Sequence, residues 1–198
     1  WDAFVSYQML FFLANNGMRV GEVVKVRRKD IRFYQRKGAV SYKSLCALIQ
    51  VHPSTKTGAR EVNSMGGEFA KRVYDKSKFK TKGDFLFCHL DGKPFTTKQF
   101  RSWFQKMIAF TNEDERCGKH FVPYALRHFY ATTRLQNGTT RSALCENMGV
   151  TEPYLRKHYS HYLTRLATED LTRMNAEIGL GGKILPEGSD FTIPDVTE

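Results

Sequence analysis

The chain has 198 residues, 41% of them hydrophobic and 13% aromatic, enough to bury a core in one good-sized domain or two small ones. Lys and Arg number 31 against 20 Asp and Glu, a net +11, and the excess lies in the body: residues 1–176 hold 30 bases and 15 acids, a net +15. A basic body of this size expects a polyanion, nucleic acid first, because neutralising phosphates releases condensed counterions. No apolar run approaches the roughly 18 residues of a spanning helix, and no signal-peptide pattern is present, which argues against a membrane protein.

"FVSYQMLFFLANNG" predicts a buried helix stopped at Asn16–Gly17, and "MRVGEVVKVRRKDI" a short amphipathic helix with Val20, Val23 and Val24 on one face and Lys25, Arg27, Arg28 and Lys29 off it. Residues 31–65 turn β-rich in three short runs and predict a small antiparallel sheet. "GGEFAKRVYDKS" returns to helix, "GDFLFCHLDGKPF" reads as extended with an Asp91–Gly92 turn, and "TTKQFRSWFQKMIAFT" is a helix opened by a Thr cap. "YALRHFYATTRLQNG" is a further helix ending at Asn137–Gly138. "SALCENMG" and "TEPYLRKHYSHYLTRLA" form a final pair, the second with Thr151 as cap and Pro153 in its first turn. From Glu177 the chain is rich in Gly, Pro and Asp and is expected to be extended or disordered. The strands arrive together and do not alternate with helices, so the fold class is α+β, mainly α-helical. The expected organisation is a body at 1–176 and a tail at 177–198. Trp1 opens directly on an apolar helical stretch, as in a piece of a longer polypeptide. Cys46, Cys88, Cys117 and Cys145 lack CxxC spacing and read as reduced thiols of an intracellular protein, neither disulfides nor zinc ligands.

Cleaving a phosphodiester without a metal takes a nucleophile, cations fixed where charge builds on the phosphate, and an acid for the departing oxygen. Arginine is the best clamp, being always charged and forked. Arg19 follows the Gly17 break between Met18 and Val20, at a core edge, and Arg127 lies among apolar residues in "YALRHF". Taken singly, each is more often a structural ion pair, Arg19 with Glu22. Lys56 in "STKTGAREV" sits on a turn between two strands, where a solvated lysine is the ordinary case. "YLRKHYSHY" packs three tyrosines and two histidines into nine positions, a nucleophile candidate or an aromatic packing face.

"NNGMRVGEVVKVRRKDI", "STKTGAREV", "YALRHFYATTRLQNG" and "LCENMGVTEPYLRKHYSHY" resemble, in order and approximate spacing, the conserved boxes of the tyrosine recombinase catalytic domain, the phage integrase family. The resemblance spans residues 4–166. It implies that Arg19 is the first catalytic arginine, Glu22 the structural glutamate of its box, Lys56 the hairpin lysine that protonates the leaving 5′ oxygen, Arg127 the second arginine, and Tyr159 the nucleophile, leaving Tyr154 and Tyr162 to packing. Tyr159 would attack a DNA phosphate held by Arg19 and Arg127, giving a 3′-phosphotyrosyl enzyme and a free 5′ hydroxyl, and a second strand would reverse the step. No cofactor or metal is implied.

Two positions depart from the pattern. Tyr124 stands where the family has the first histidine of "H-x-L-R-H", and Val150 where it has the "G-H" histidine, as in a branch of prophage integrases. Tyr124 can still donate a hydrogen bond through its hydroxyl, whereas Val150 cannot. His128, His158 and His161, near Arg127 and Tyr159 in sequence, are candidates for the lost proton management. The resemblance further implies double-stranded DNA as partner, a homotetramer on DNA from a chain monomeric in isolation, no membrane, a bacterial or phage-encoded protein in the host cytoplasm, a tail that is swapped between protomers, and an N-terminal core-binding domain outside this chain. The alternative is a non-catalytic DNA-binding protein or inactive relative, since "ALCENMGVTEPYLRKHY" also reads as helix-turn-helix with Gly149 at the turn. A relaxing enzyme of the type IB topoisomerase kind shares the chemistry without the tetramer.

Overall fold

The structure, a computed structural model, describes residues 1–35, 45–55 and 58–159 in full and the backbone alone of 176–178 and 184–186. Helix α1 (Asp2–Ala14) buries Val5, Met9, Phe12 and Leu13, the i, i+4, i+7, i+8 stripe of one helix face. It stops at Gly17, whose φ of +68° suits a residue without Cβ. A Cβ there would stand 2.4 Å from Cδ1 of Tyr130, so the glycine also lets a later helix close in. Gly17→Ala is therefore expected to lose about 2–5 kcal/mol, the left-handed strain plus the overpacking. Urea unfolding checks this, and a midpoint unchanged from wild type would contradict the contact.

The second expected helix is only one turn, α2 (Val20–Val23), followed by a 3-10 turn at Arg28–Asp30. The chain leaves helical geometry because Val26 and Arg28 bond outward to the extended segment, Leu86 N–H donating to Val26 C=O at 2.9 Å and Arg28 N–H to Asp84 C=O at 2.9 Å. Arg28, expected off the apolar face, is buried instead, its guanidinium 3.4 Å over the Tyr74 ring and bonded to Tyr74 C=O at 2.8 Å.

Strands β1 (Ile31–Gln35), β2 (Leu45–Val51) and β3 (Arg60–Ser64) form the predicted antiparallel sheet in chain order. Ile31 faces Ile49 and Ile49 faces Val62, a buried row across all three. Helix α3 (Gly67–Lys76) packs against the sheet and α1. The Asp91–Gly92 turn forms as expected, closed by a bridge between Cys88 and Pro94. Thr96 caps α4 (Thr97–Thr111) through a capping box with Gln99. Helix α5 (Glu113–Cys117), absent from the sequence reading, is a single acidic turn between left-handed Asn112 and Gly118. Helices α6 (Tyr124–Gln136), α7 (Arg141–Met148) and α8 (152–159) follow in their predicted places. In the tail, β4 (Ala176–Ile178) pairs antiparallel with β5 (Ile184–Pro186).

The described residues bury two apolar clusters. One gathers α1, the sheet, α3 and the extended segment around Phe12, Phe87 and Phe100. The other packs Tyr130, Leu135, Leu144, Met148, Leu155 and Tyr159 from α6, α7 and α8. Between them, at the ends of α1 and α7, lie the buried polar groups Asn16, Glu22 and Arg127.

Candidate active site

Arg127 projects from the first turn of α6 into the seam between the two clusters and is 2% exposed. Its Nη1 donates to Gly17 C=O, where α1 ends, and its Nη2 to Met148 C=O at 2.8 Å, where α7 ends. Met148 C=O is an orphan of the α7 terminus and Gly17 C=O belongs to the turn after α1, so the guanidinium caps one helix and pins the turn that follows another. Nε is buried without a partner among the described residues. Burial first, then the charge of Arg19, lowers the Arg127 pKa, but a guanidinium stays charged. A buried cation held on neutral carbonyls keeps its charge for an anion.

Arg19 caps the turn α2. Its backbone N–H donates to Glu22 Oε2 at 2.9 Å and its Nη1 to Glu22 Oε1 at 3.1 Å, while the side chain stays 28% exposed. The ion pair read as the ordinary alternative for Arg19 is present, and it does not remove the group from solvent. Arg19 and Arg127 line one cavity of about 340 Å³ together with Tyr124, Thr97 and Arg101. The site thus gathers side chains from α2, α4 and α6, separated by more than a hundred residues of chain.

Tyr159 does not line this cavity. It is 3% exposed, and its hydroxyl is 2.7 Å from His128 Nδ1. Burial first, then the Tyr124 and Tyr154 hydroxyls, push the phenol well above the usual tyrosine range, with Arg127 pulling the other way. Burial first, then the charges of His158 and Arg127, hold His128 below the usual imidazole value. Near neutral pH the phenol is therefore protonated and the imidazole neutral, so Tyr159 donates to His128. Tyr124 lines the cavity, its hydroxyl is 2.6 Å from that of Tyr154, and its ring stands edge-on to His128 at 4.9 Å. His158 is exposed and rests on Tyr154, the ring centroids 4.3 Å apart. Lys56 and His161 lie outside the described residues, as does Tyr162; β2 and β3 do form the strand pair whose connection carries Lys56.

Two residues at the seam escaped the sequence reading. Arg60, the first residue of β3, places Nη2 at 2.9 Å from Glu22 Oε2 and Nη1 at 3.2 Å from Oε1. Asn147, in the last turn of α7, accepts from Asn63 N–H at 2.7 Å and brings Nδ2 within 3.2 Å of both Asn16 C=O and Asn63 C=O and 2.8 Å of Tyr130 Oη. The signal for Arg60 was its place at the start of a strand whose next apolar neighbour, Val62, is fully buried. Nothing local marks Asn147, whose partners are remote in sequence.

The family model for the phage integrase family matches residues 2–165. The chain belongs to the phage integrase family. Among curated members it is 27% identical over 163 residues to the tyrosine recombinase XerD of Listeria innocua, covering 82% of this chain and 52% of that protein. The chain thus spans about half the length of the curated relatives it matches. Among solved structures it superposes on the XerA recombinase with a TM-score of 0.61 at 21% identity, covering 86% of this chain and 60% of that one. On the Tn1549 transposon integrase, solved in complex with transposon right end DNA, the TM-score is 0.60 at 20% identity, with 85% and 58% covered. Both likenesses establish the integrase catalytic fold for this mainly helical chain with its three-stranded sheet. No described helix is long and apolar enough to cross a membrane.

Proposed function

We propose that the chain is the catalytic domain of a site-specific DNA recombinase that breaks and rejoins duplex DNA through a 3′-phosphotyrosyl intermediate. The observation that carries this reading is the convergence of Arg19 and Arg127, from boxes far apart in sequence, on one cavity, two of whose lining residues, Arg127 and Tyr124, act electrostatically on the buried Tyr159. In the reaction, the scissile phosphate enters the cavity and its non-bridging oxygens are held by Arg19 and Arg127. Tyr159 Oη attacks phosphorus as its proton passes to His128, the bond to the 5′ oxygen breaks, and Lys56 protonates that oxygen. Fixed cations at the charge that builds up contribute roughly 3 kcal/mol each. Attack requires the Tyr159 phenol to turn from the His128 side toward the cavity. Four protomers on DNA, in the cytoplasm of a bacterium or phage host, exchange strands in pairs, with the tail past 177 swapped between them.

The test is a nicked duplex that loses its 5′ end after cleavage. A denaturant-resistant protein–DNA band with a free 5′ hydroxyl on the released strand is expected. The second reading, DNA binding without cleavage through α7 and α8, is favoured by one observation, the burial of Tyr159, and predicts a shifted band under native conditions and no covalent one.

Proton transfer to His128 gives the reaction a pH signature. The His128 pKa lies below its unfolded value of about 6.5. Its neutral form, with the stability that form contributes, is thus fully present above pH ~6.5 and lost as pH falls through the depressed folded value. Single-turnover cleavage is expected to fall over the same acid window. In His128→Phe the acid limb disappears and the rate drops roughly 10²-fold or more, the scale of a positioned base. A His128→Phe rate equal to wild type at every pH removes His128 from the mechanism.

A further inference from the structure

Glu22 is the junction of the site. Its carboxylate is 3% exposed and receives four N–H contacts: the Arg19 backbone at 2.9 Å, Arg19 Nη1 at 3.1 Å, and Arg60 Nη1 and Nη2 at 3.2 and 2.9 Å. A carboxylate offers about four lone-pair sites, and these described donors engage both of its oxygens. The division between the two arginines is unequal. Arg60 takes the forked position across both oxygens, the stronger geometry, and is 11% exposed, whereas the Arg19 side chain holds only one oxygen and turns the rest of its guanidinium to the cavity.

We propose that Arg60 is a positioning residue for strand cleavage, which occupies Glu22 so that the charge of Arg19 remains available to the DNA phosphate. The proposal rests on the reading above. Glu22 and Arg19 alone make a neutral pair, and the flexible arginine would close its own fork on the buried carboxylate. Among the described residues Arg19, Arg60 and Glu22 together carry one net positive charge, and Arg19, the more exposed arginine, presents it. Arg60 also ties this cluster to the segment bearing the nucleophile. Its Nε donates to Asn147 C=O at 3.2 Å, and its guanidinium lies beneath the α7–α8 turn, where a Cβ on Gly149 would come within 3.0 Å. Gly149 adopts φ +62° there, so glycine answers both the turn and the approach. A single side chain thus links the strand that follows Lys56, the turn that bears Arg19 and the entry to α8.

The test measures single-turnover cleavage by the longest polypeptide that carries this chain, on two nicked duplexes. One has an ordinary scissile phosphate and the other an uncharged methylphosphonate in its place. Arg60→Lys keeps the charge and loses the fork. It is expected to slow the phosphate substrate roughly 10²-fold, as a misplaced group does, with DNA affinity little changed. The deficit should shrink on the methylphosphonate, which offers the two arginines one negative charge fewer. A purely architectural role would lower both substrates equally, and that result, or a wild-type rate, overturns the proposal. Combining Arg60→Gln with Glu22→Gln leaves no carboxylate to capture Arg19 and no unpaired buried charge to unfold the domain. The phosphate-to-methylphosphonate ratio should then recover toward wild type, and no recovery also overturns it. Failure of the wild-type protein to form any covalent adduct would instead sink the recombinase reading, and this inference with it.

Discussion

Tyr159→Phe is expected to abolish the covalent protein–DNA adduct and to leave the domain folded. The ring contributes to the second apolar cluster, and phenylalanine fills the same space, so only the hydrogen bond to His128 is lost. Such a bond contributes about 1 kcal/mol, and His128 is open enough for water to replace it. Adduct formation is expected to have no comparable substitute, because on the proposed mechanism the Tyr159 hydroxyl alone attacks phosphorus. The check is a denaturing gel of the nicked-duplex reaction beside a urea melt of both proteins. A surviving adduct in Tyr159→Phe assigns the nucleophile elsewhere, and a collapsed melt would show the hydroxyl to be structural.

Arg127 carries the second large effect, and it acts on folding as well as on chemistry. In Arg127→Ala the Gly17 and Met148 carbonyls lose their donor where two helices end against the seam, and each unpaired acceptor costs about 1–3 kcal/mol. Arg127→Lys separates the effects. An ammonium retains a charge in the seam, restores at most part of the carbonyl pairing, and cannot present a planar fork to phosphate. Cleavage is expected to fall by roughly 10²–10³ for the lysine variant, the scale of losing one preorganised donor to developing charge. DNA binding at low salt should change far less, because many surface cations share that term. Equal losses in binding and cleavage would mean that Arg127 serves DNA attachment in general and not the transition state.

Which of these features could be read from the sequence follows from how local their causes are. Helices α1, α4, α6 and α7 were legible because their stripes, the Thr96 cap and the Gly17, Gly138 and Gly149 stops are written within a few residues. The stretch 18–31 misled because its valines keep helical spacing while its backbone bonds to Asp84 and Leu86, a tertiary choice invisible to periodicity. Arg28 was placed on the wet side for the same reason, as its partner is the Tyr74 ring. At the site, the resemblance marked Arg19, Glu22, Arg127 and Tyr159. It did not reveal that Arg60 holds Glu22, that Arg127 caps α7 and pins the turn after α1, or that Tyr159 rests on His128, since each depends on packing between elements.

On the proposed mechanism two guanidinium groups and the Tyr159 phenol meet at one phosphorus atom. That convergence is tested most directly by a crystal structure of the polypeptide bound to a nicked duplex with orthovanadate in place of the scissile phosphate. Vanadium is expected bonded to Tyr159 Oη, its equatorial oxygens held by Arg19 and Arg127, and the bond to His128 Nδ1 released as a proton is taken up there. A vanadate held by the arginines with Tyr159 still buried against His128, or DNA bound along α8 with the cavity vacant, would contradict it.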